Sequence, residues 1–138
     1  MSIVFRMKAQ LKCVYLTILV CFLGQAYHCI GQGEPNQIET AYFDGDWKAA
    51  DARLAQWEKV KGRSVRTDAA YLKVRAIGQY YHYEVESAEQ SLRTAFDFAS
   101  GNSTSLLQAE IKEWLGHVYM KRSEPDLAIL AFRISSAS

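Results

Sequence analysis

An all-helical fold is what this chain predicts, and three observations carry it. Proline occurs only at Pro35 and Pro125, so long stretches are free of the residue that breaks helices. Glycine falls mainly between segments, and no apolar-polar alternation of strand length stands out. Apolar residues instead recur at three- and four-residue steps, which places them on one side of a helix.

The elements follow in chain order. Asp44 and Asp46 are candidate caps for a helix from about Trp47 to Val60, along which Trp47, Ala50, Leu54 and Trp57 share a face. Gly62 is placed to end it. A second long helix is predicted from about Thr67 to Tyr83. Its partner, from about Ser87 to Ala99, carries Ala88, Leu92, Ala95, Phe96 and Ala99 along one stripe. Ser100-Gly101-Asn102-Ser103 reads as a break, and the next helix bears Leu107, Ile111, Leu115, Val118 and Tyr119 on one side. Ser123-Glu124-Pro125-Asp126 reads as a cap with proline in the first turn and an acid three residues on, which launches the last helix. Three helical hairpins result, at about 35–60, 66–100 and 105–136.

The hairpins echo one another. In the fullest copy, Leu115-Gly116-x-x-Tyr119 is followed by Ala128-x-x-x-Phe132. There the small residues Gly116 and Ala128 let two antiparallel helices approach, while Leu115, Tyr119 and Phe132 fill the space around the contact. Ile77-Gly78-x-x-Tyr81 with Ala88-x-x-x-Leu92 forms a second copy, and Gly45-Asp46-Trp47-x-x-Ala50-x-x-x-Leu54 a third, partial one. The alanines lie 38 residues apart from Ala50 to Ala88 and 40 from Ala88 to Ala128. Tyr81 precedes Ala88 by 7 residues where Tyr119 precedes Ala128 by 9, so the first halves and second halves of the copies do not keep one spacing.

Across roughly residues 34–138 these motifs resemble the tetratricopeptide repeat (TPR) family in a divergent form. The family period is about 34 residues, and its tryptophan falls where this chain has Lys112, with Trp114 standing next to Leu115 instead. The resemblance implies a right-handed superhelical stack of about three antiparallel helix hairpins, a TPR-like solenoid that serves as a non-catalytic scaffold for protein binding. In such arrays the first helix of each pair lines a concave groove. Carried over, this implies a protein-binding face of Arg75, Gln79 and His82 from the second hairpin, with Glu110, Glu113, His117 and Met120 from the third. An ordinary solvated helix exterior is the competing reading of the same residues.

The first 31 residues follow different physics. Arg6, Lys8 and Lys12 supply a basic start, no acid precedes Glu34, and the run from Val14 to Leu23 is mostly apolar. That layout predicts a secretory signal peptide over residues 1–31, cut after Ala26 or Gly31, and so export to a bacterial periplasm or the medium. The alternative is an uncleaved N-terminal membrane anchor, although a spanning helix needs about 20 apolar residues. Cys13, Cys21 and Cys29 all lie in this leader, which leaves the remainder without a disulfide framework or thiol nucleophile.

Charge narrows the function classes. The chain has 16 Lys and Arg against 15 Asp and Glu, and removing a leader with three basic and no acidic residues leaves 13 against 15. A slightly acidic domain is not a nucleic-acid binder. No G-x-S-x-G, glycine-rich phosphate loop or metalloprotease helix is present, so no enzyme and no cofactor are expected. His82-x-Glu84 and His117 lack the helical spacing of metal ligands, so no metal is expected either. Tyr80, Tyr81 and Tyr83 form either an aromatic shelf for a ligand or packing between layers. Asn102-Ser103-Thr104 is either a glycosylation sequon or a helix cap.

The expected function is an exported interaction scaffold that binds a peptide or protein segment in its groove. The alternative is a sensory or regulatory fragment related to the extracytoplasmic TPR region of a bacterial sensor histidine kinase. After the last helix few residues remain to cover its outer face. Ile129, Leu130 or Phe132 is therefore expected to leave an exposed apolar patch that favours a homodimer or partner docking. A membrane partner is expected only if the leader is uncleaved.

Overall fold

A computed structural model of the chain describes residue 12 and residues 14–18, 34–102 and 105–136. Two compact units divide the chain, Met1–Glu34 and Pro35–Ser138. In the first, residues 14–18 are helical, with Val14, Tyr15, Leu16 and Ile18 exposed. The three cysteines, the two cleavage positions Ala26 and Gly31, and Ser103 and Thr104 of the sequon lie outside the described residues. Among the described residues no helix is long and apolar enough to cross a membrane.

The second unit is helical, with no strand among its described residues. It comprises α1 (residues 34–43, of which all but the first fall in this unit), α2 (Trp47–Lys61), α3 (Ala69–Tyr81), α4 (Val85–Asn102), α5 (Ser105–Lys121) and α6 (Pro125–Ser136). Asp46 caps α2, accepting from the Ala49 amide at 3.3 Å, while Gly62 ends it at a φ of 59° that favours glycine. Residues Gly62–Thr67 wind into a 3-10 turn held down by buried Val65, and Asp68 starts α3 by accepting from the Tyr71 amide at 3.1 Å. The second long helix therefore begins two residues later than its sequence pattern predicts. Helix α4 runs through the break expected at Ser100-Gly101. The Ser100 hydroxyl donates back to the Phe96 carbonyl at 2.7 Å, a bond made inside a helix rather than at its end.

One turn is built three times. The amides of Gly45, Tyr83 and Ser123 donate to the carbonyls of Tyr42, Tyr80 and Met120, and those of Asp46, Glu84 and Glu124 donate to Ala41, Gln79 and Tyr119. This pair of bonds, one spanning three residues and one spanning five, is a Schellman closure, and the residue between the helices has φ of 84°, 64° and 62° at the three sites. Only the first site has glycine there. At the other two Tyr83 and Ser123 hold the left-handed conformation at a cost of about 1 kcal/mol each. Ser123 is thus the left-handed residue of the turn rather than the helix cap expected from its sequence. Glu124 takes the boundary position, its carbonyl accepting from the Ala128 amide.

Four residues after each boundary residue comes a fully buried alanine, Ala50, Ala88 or Ala128. The expected stripe of α4 is likewise buried at Ala88, Leu92, Ala95 and Ala99, with Phe96 partly so. Helix α3 packs on α4, α4 on α5 and α5 on α6, while Trp57 of α2 meets Tyr71 of α3 edge-on at 5.4 Å.

Counting back from the shared turn corrects one register. Gly116 is matched by Ala76, and Tyr119 by Gln79, so the Ile77-Gly78-x-x-Tyr81 echo stands two residues out of step with Leu115-Gly116-x-x-Tyr119. Gly78 answers to a different need. A Cβ there would lie 2.5 Å from the Tyr42 hydroxyl oxygen, so it makes room for a ring from α1, whereas Gly116 makes room for the ring of Phe132 in α6.

Candidate functional site

The first helices of the three hairpins enclose a groove of roughly 480 Å³. Helix α1 contributes Glu39 and Phe43, and α3 contributes Lys73, Tyr80 and Tyr81. From α5 come Glu110, Glu113, Trp114 and His117. Alignment from the turns explains why these residues converge: Glu39 and His117 occupy one equivalent position, Phe43 and Tyr81 another, and Lys73 and Glu113 a third.

Lys73 is the electrostatic centre of the groove. It follows Ala69 and precedes Ile77 by four residues each, which puts it on the buried stripe of α3, and only 4 % of it is exposed. Its ammonium lies 2.6 Å from Glu39 Oε1 and donates to Glu110 Oε2 at 2.7 Å, tying α3 to both flanking first helices. The approach to Glu39 is close enough for an ion pair but not aligned as a hydrogen bond, so that buried oxygen has none. Burial pulls the Lys73 pKa down, but the two carboxylates outweigh it and hold the pKa above the usual lysine value. Three carboxylates against one ammonium leave the groove two charges negative, with histidine left out of the count.

Aromatic rings run through the same region and continue past it. Tyr42 stacks on Tyr81 at 6.0 Å with an interplanar angle of 6°, and Trp47 meets Tyr81 at 5.9 Å. Trp114 then touches both Tyr80 and Tyr81, followed by His117 against Trp114 and Phe132 against His117. Every neighbouring pair of hairpins is therefore joined by rings, each edge-on or offset contact contributing about 0.5–1.5 kcal/mol beyond its buried area. Tyr80 and Tyr83 also flank the Lys121 ammonium, at 3.9 and 4.0 Å from the ring centres. Burial lowers the Lys121 pKa.

The residues expected on the concave face divide sharply. Glu110, Glu113 and His117 line the groove. Arg75, Gln79 and His82 do not. Gln79 Oε1 accepts from the Ser91 hydroxyl of α4, and His82 Nε2 lies 2.9 Å from Asp51 of α2, while Arg75 is exposed outside the groove lining. The two-residue slip is the physical reason, since two residues rotate a helix by about 200° and carry the selected face away from the groove. Met120 is exposed and also lies outside the lining; its equivalent, Tyr80, lies within it.

Glu39, Phe43, Lys73, Tyr80, Tyr81 and Trp114 were not among the residues expected on this face. Lys73 carried a usable signal, a lone cation at the centre of a four-residue apolar step. His82 and His117 are held by different neighbours, and among the described residues no group of three His, Cys, Asp or Glu side chains is placed to hold a metal ion. Of the terminal residues, Ile129 and Leu130 are half exposed, at 50 % and 56 %. Phe132 instead turns inward over Gly116 and adds little to that patch. No family model matches the chain, and neither a curated protein nor a solved structure does.

Proposed function

We propose that residues 34–138 form a TPR-like superhelical repeat scaffold, non-catalytic, that binds a peptide or protein segment in the groove of α1, α3 and α5. The observation that carries this reading is the convergence of one equivalent face from three hairpins on a single groove, lined by both aromatic and charged side chains. A rigid array offers an extended peptide several side-chain sites in a row without reorganising, which limits the entropy lost on binding. The recurrence of the turn and its buried alanine supports the repeat part of the reading. The leader belongs to the same proposal, with the scaffold acting after export.

Panning a displayed library of random dodecapeptides against the full chain tests it. Counter-selection uses Glu113→Arg, a change at an exposed groove position that leaves the core intact. Peptides recovered on the parent chain are expected to lose binding to the variant. Recovery of the same peptides at equal strength on both chains would move the binding site elsewhere, and failure to enrich any peptide would count against a peptide scaffold.

A further inference from the structure

We infer that the groove takes an arginine side chain from its peptide partner, held between a carboxylate and an aromatic ring. This deepens the proposed function and rests on the groove being the binding site. Charge supplies the first half of the case. Lys73 sits between Glu39 and Glu110 and pairs with both while offsetting one of their two charges, whereas Glu113, exposed on the same lining, has no ion pair among the described residues. The groove is thus negative where its internal cation does not reach, which disfavours an acidic partner and favours a basic one.

Ring placement supplies the second half. Phe43 is 80 % exposed, the most exposed large apolar side chain among the described residues, and it stands on the groove lining rather than elsewhere on the surface. Trp114 is the residue next to Glu113 and lines the same groove. Internal lysines already cover Phe96, Tyr80 and Tyr83, but none of the cation-π pairs among the described residues uses Phe43 or Trp114. A ring without a cation and a carboxylate without a cation on one groove lining are surfaces that a guanidinium can satisfy together. Its plane stacks on the ring while its N–H groups donate to the carboxylate. An ammonium can do one or the other well, since it is a compact and strongly hydrated point charge. A free small cation would gain these contacts but not those of a backbone lying along three helices, so the occupant is a peptide segment.

Fluorescence anisotropy with the full-length chain and labelled nonapeptides of glycine and serine tests this. The central residue is arginine, lysine, alanine or glutamate, and argininamide serves as the free competitor. The arginine peptide is expected to bind best, the lysine peptide several-fold more weakly, and the glutamate peptide least. Glu113→Lys should weaken the arginine peptide by about tenfold, and Glu113→Gln and Phe43→Ala by a few-fold each, with the far-UV spectrum unchanged. Equal or tighter binding of the lysine or glutamate peptide overturns the arginine assignment while leaving a peptide groove standing. Tight binding of the arginine peptide that ignores both Glu113 variants places it outside the groove and overturns the assignment as well. Argininamide matching the peptide's affinity refutes the peptide occupant, and binding of none of the four peptides refutes the groove reading itself.

Discussion

Gly78 and Gly116 sit in nearly the same sequence, Ile-Gly-x-x-Tyr against Leu-Gly-x-x-Tyr, and each lies under an aromatic ring that leaves no room for a Cβ. The rings come from different places. Over Gly78 stands Tyr42 of the preceding hairpin, so that glycine sets how closely two hairpins stack. Over Gly116 stands Phe132 of the following helix, so that glycine sets how tightly one hairpin closes. The surroundings differ as well. Tyr42 is buried, stacked on Tyr81 and donates to Asp51 Oδ1 at 2.5 Å, whereas Phe132 is only half buried on the last described helix. A motif that looks repeated therefore marks one seam between hairpins and one closure within a hairpin, and the seam has the less yielding ring.

Substituting alanine at both glycines is the strongest way to break this comparison. Gly78→Ala should cost about 3 kcal/mol, because the new methyl meets a ring whose hydroxyl and stacking partner both resist movement. Urea denaturation of the single variants reads the difference. If both changes cost the same, the seam is no stiffer than the closure. Next in size is the ion pair on the same seam: Lys73→Met should lose about 2 kcal/mol by leaving Glu39 and Glu110 without their cation. Adding Glu39→Gln should recover part of that loss. A variant as stable as the parent would mean that Lys73 does not hold the first helices together.

Alkaline pH probes the buried rings on both sides of the seam. Burial, assisted by the charge of Glu58, pushes the Tyr71 hydroxyl up to about 12, and burial with Asp51 holds that of Tyr42 higher still. Both folded values exceed the unfolded value of 10.0, so unfolding releases protons above that pH. The stability these hydroxyls contribute is complete below pH 10 and disappears as the pH climbs through the folded values. Lys73, also raised, acts in the same direction. We expect about 2 kcal/mol lost per pH unit above 10, with Tyr42→Phe flattening the slope. A melting temperature independent of pH between 10 and 11.5 would contradict this. Smallest is Gly116→Ala, expected to cost about 1 kcal/mol: the Phe132 ring must move away from a Cβ that would overlap it, but that ring is half buried and has no hydroxyl anchoring it, so it yields more readily than Tyr42. A large loss there would make the closure as rigid as the seam.

The same contrast explains what could be read from the residues alone. Helix spans, the buried stripes of α4 and α5, the cap at Asp46 and the 38- and 40-residue spacing of the alanines all rest on periodicity within a helix or on turn chemistry, and both are local. The face of α3 was not legible in that way. It was keyed to Gly78, and the reason for that glycine is a ring 36 residues away in another hairpin, which no local spacing encodes. The three groove residues of α3, Lys73, Tyr80 and Tyr81, were lost with that choice. Had the register been counted back from the alanines, Glu113 would have pointed to Lys73, and Met120 to Tyr80.

The triple turn bears on how such a chain can change length. In each turn the boundary residue closes the outgoing helix with its amide and opens the incoming one with its carbonyl. No residue is spare, and a single insertion would swing the next helix by about 100° and turn its alanine away from the core. Length instead varies between turns. Helix α3 has 13 residues where α5 has 17, and a 3-10 segment of 6 residues follows α2. Insertions and deletions are thus accommodated toward the handover from one hairpin to the next and excluded in the turn inside each hairpin, so the hairpin is the unit in which this chain can be lengthened, trimmed or duplicated.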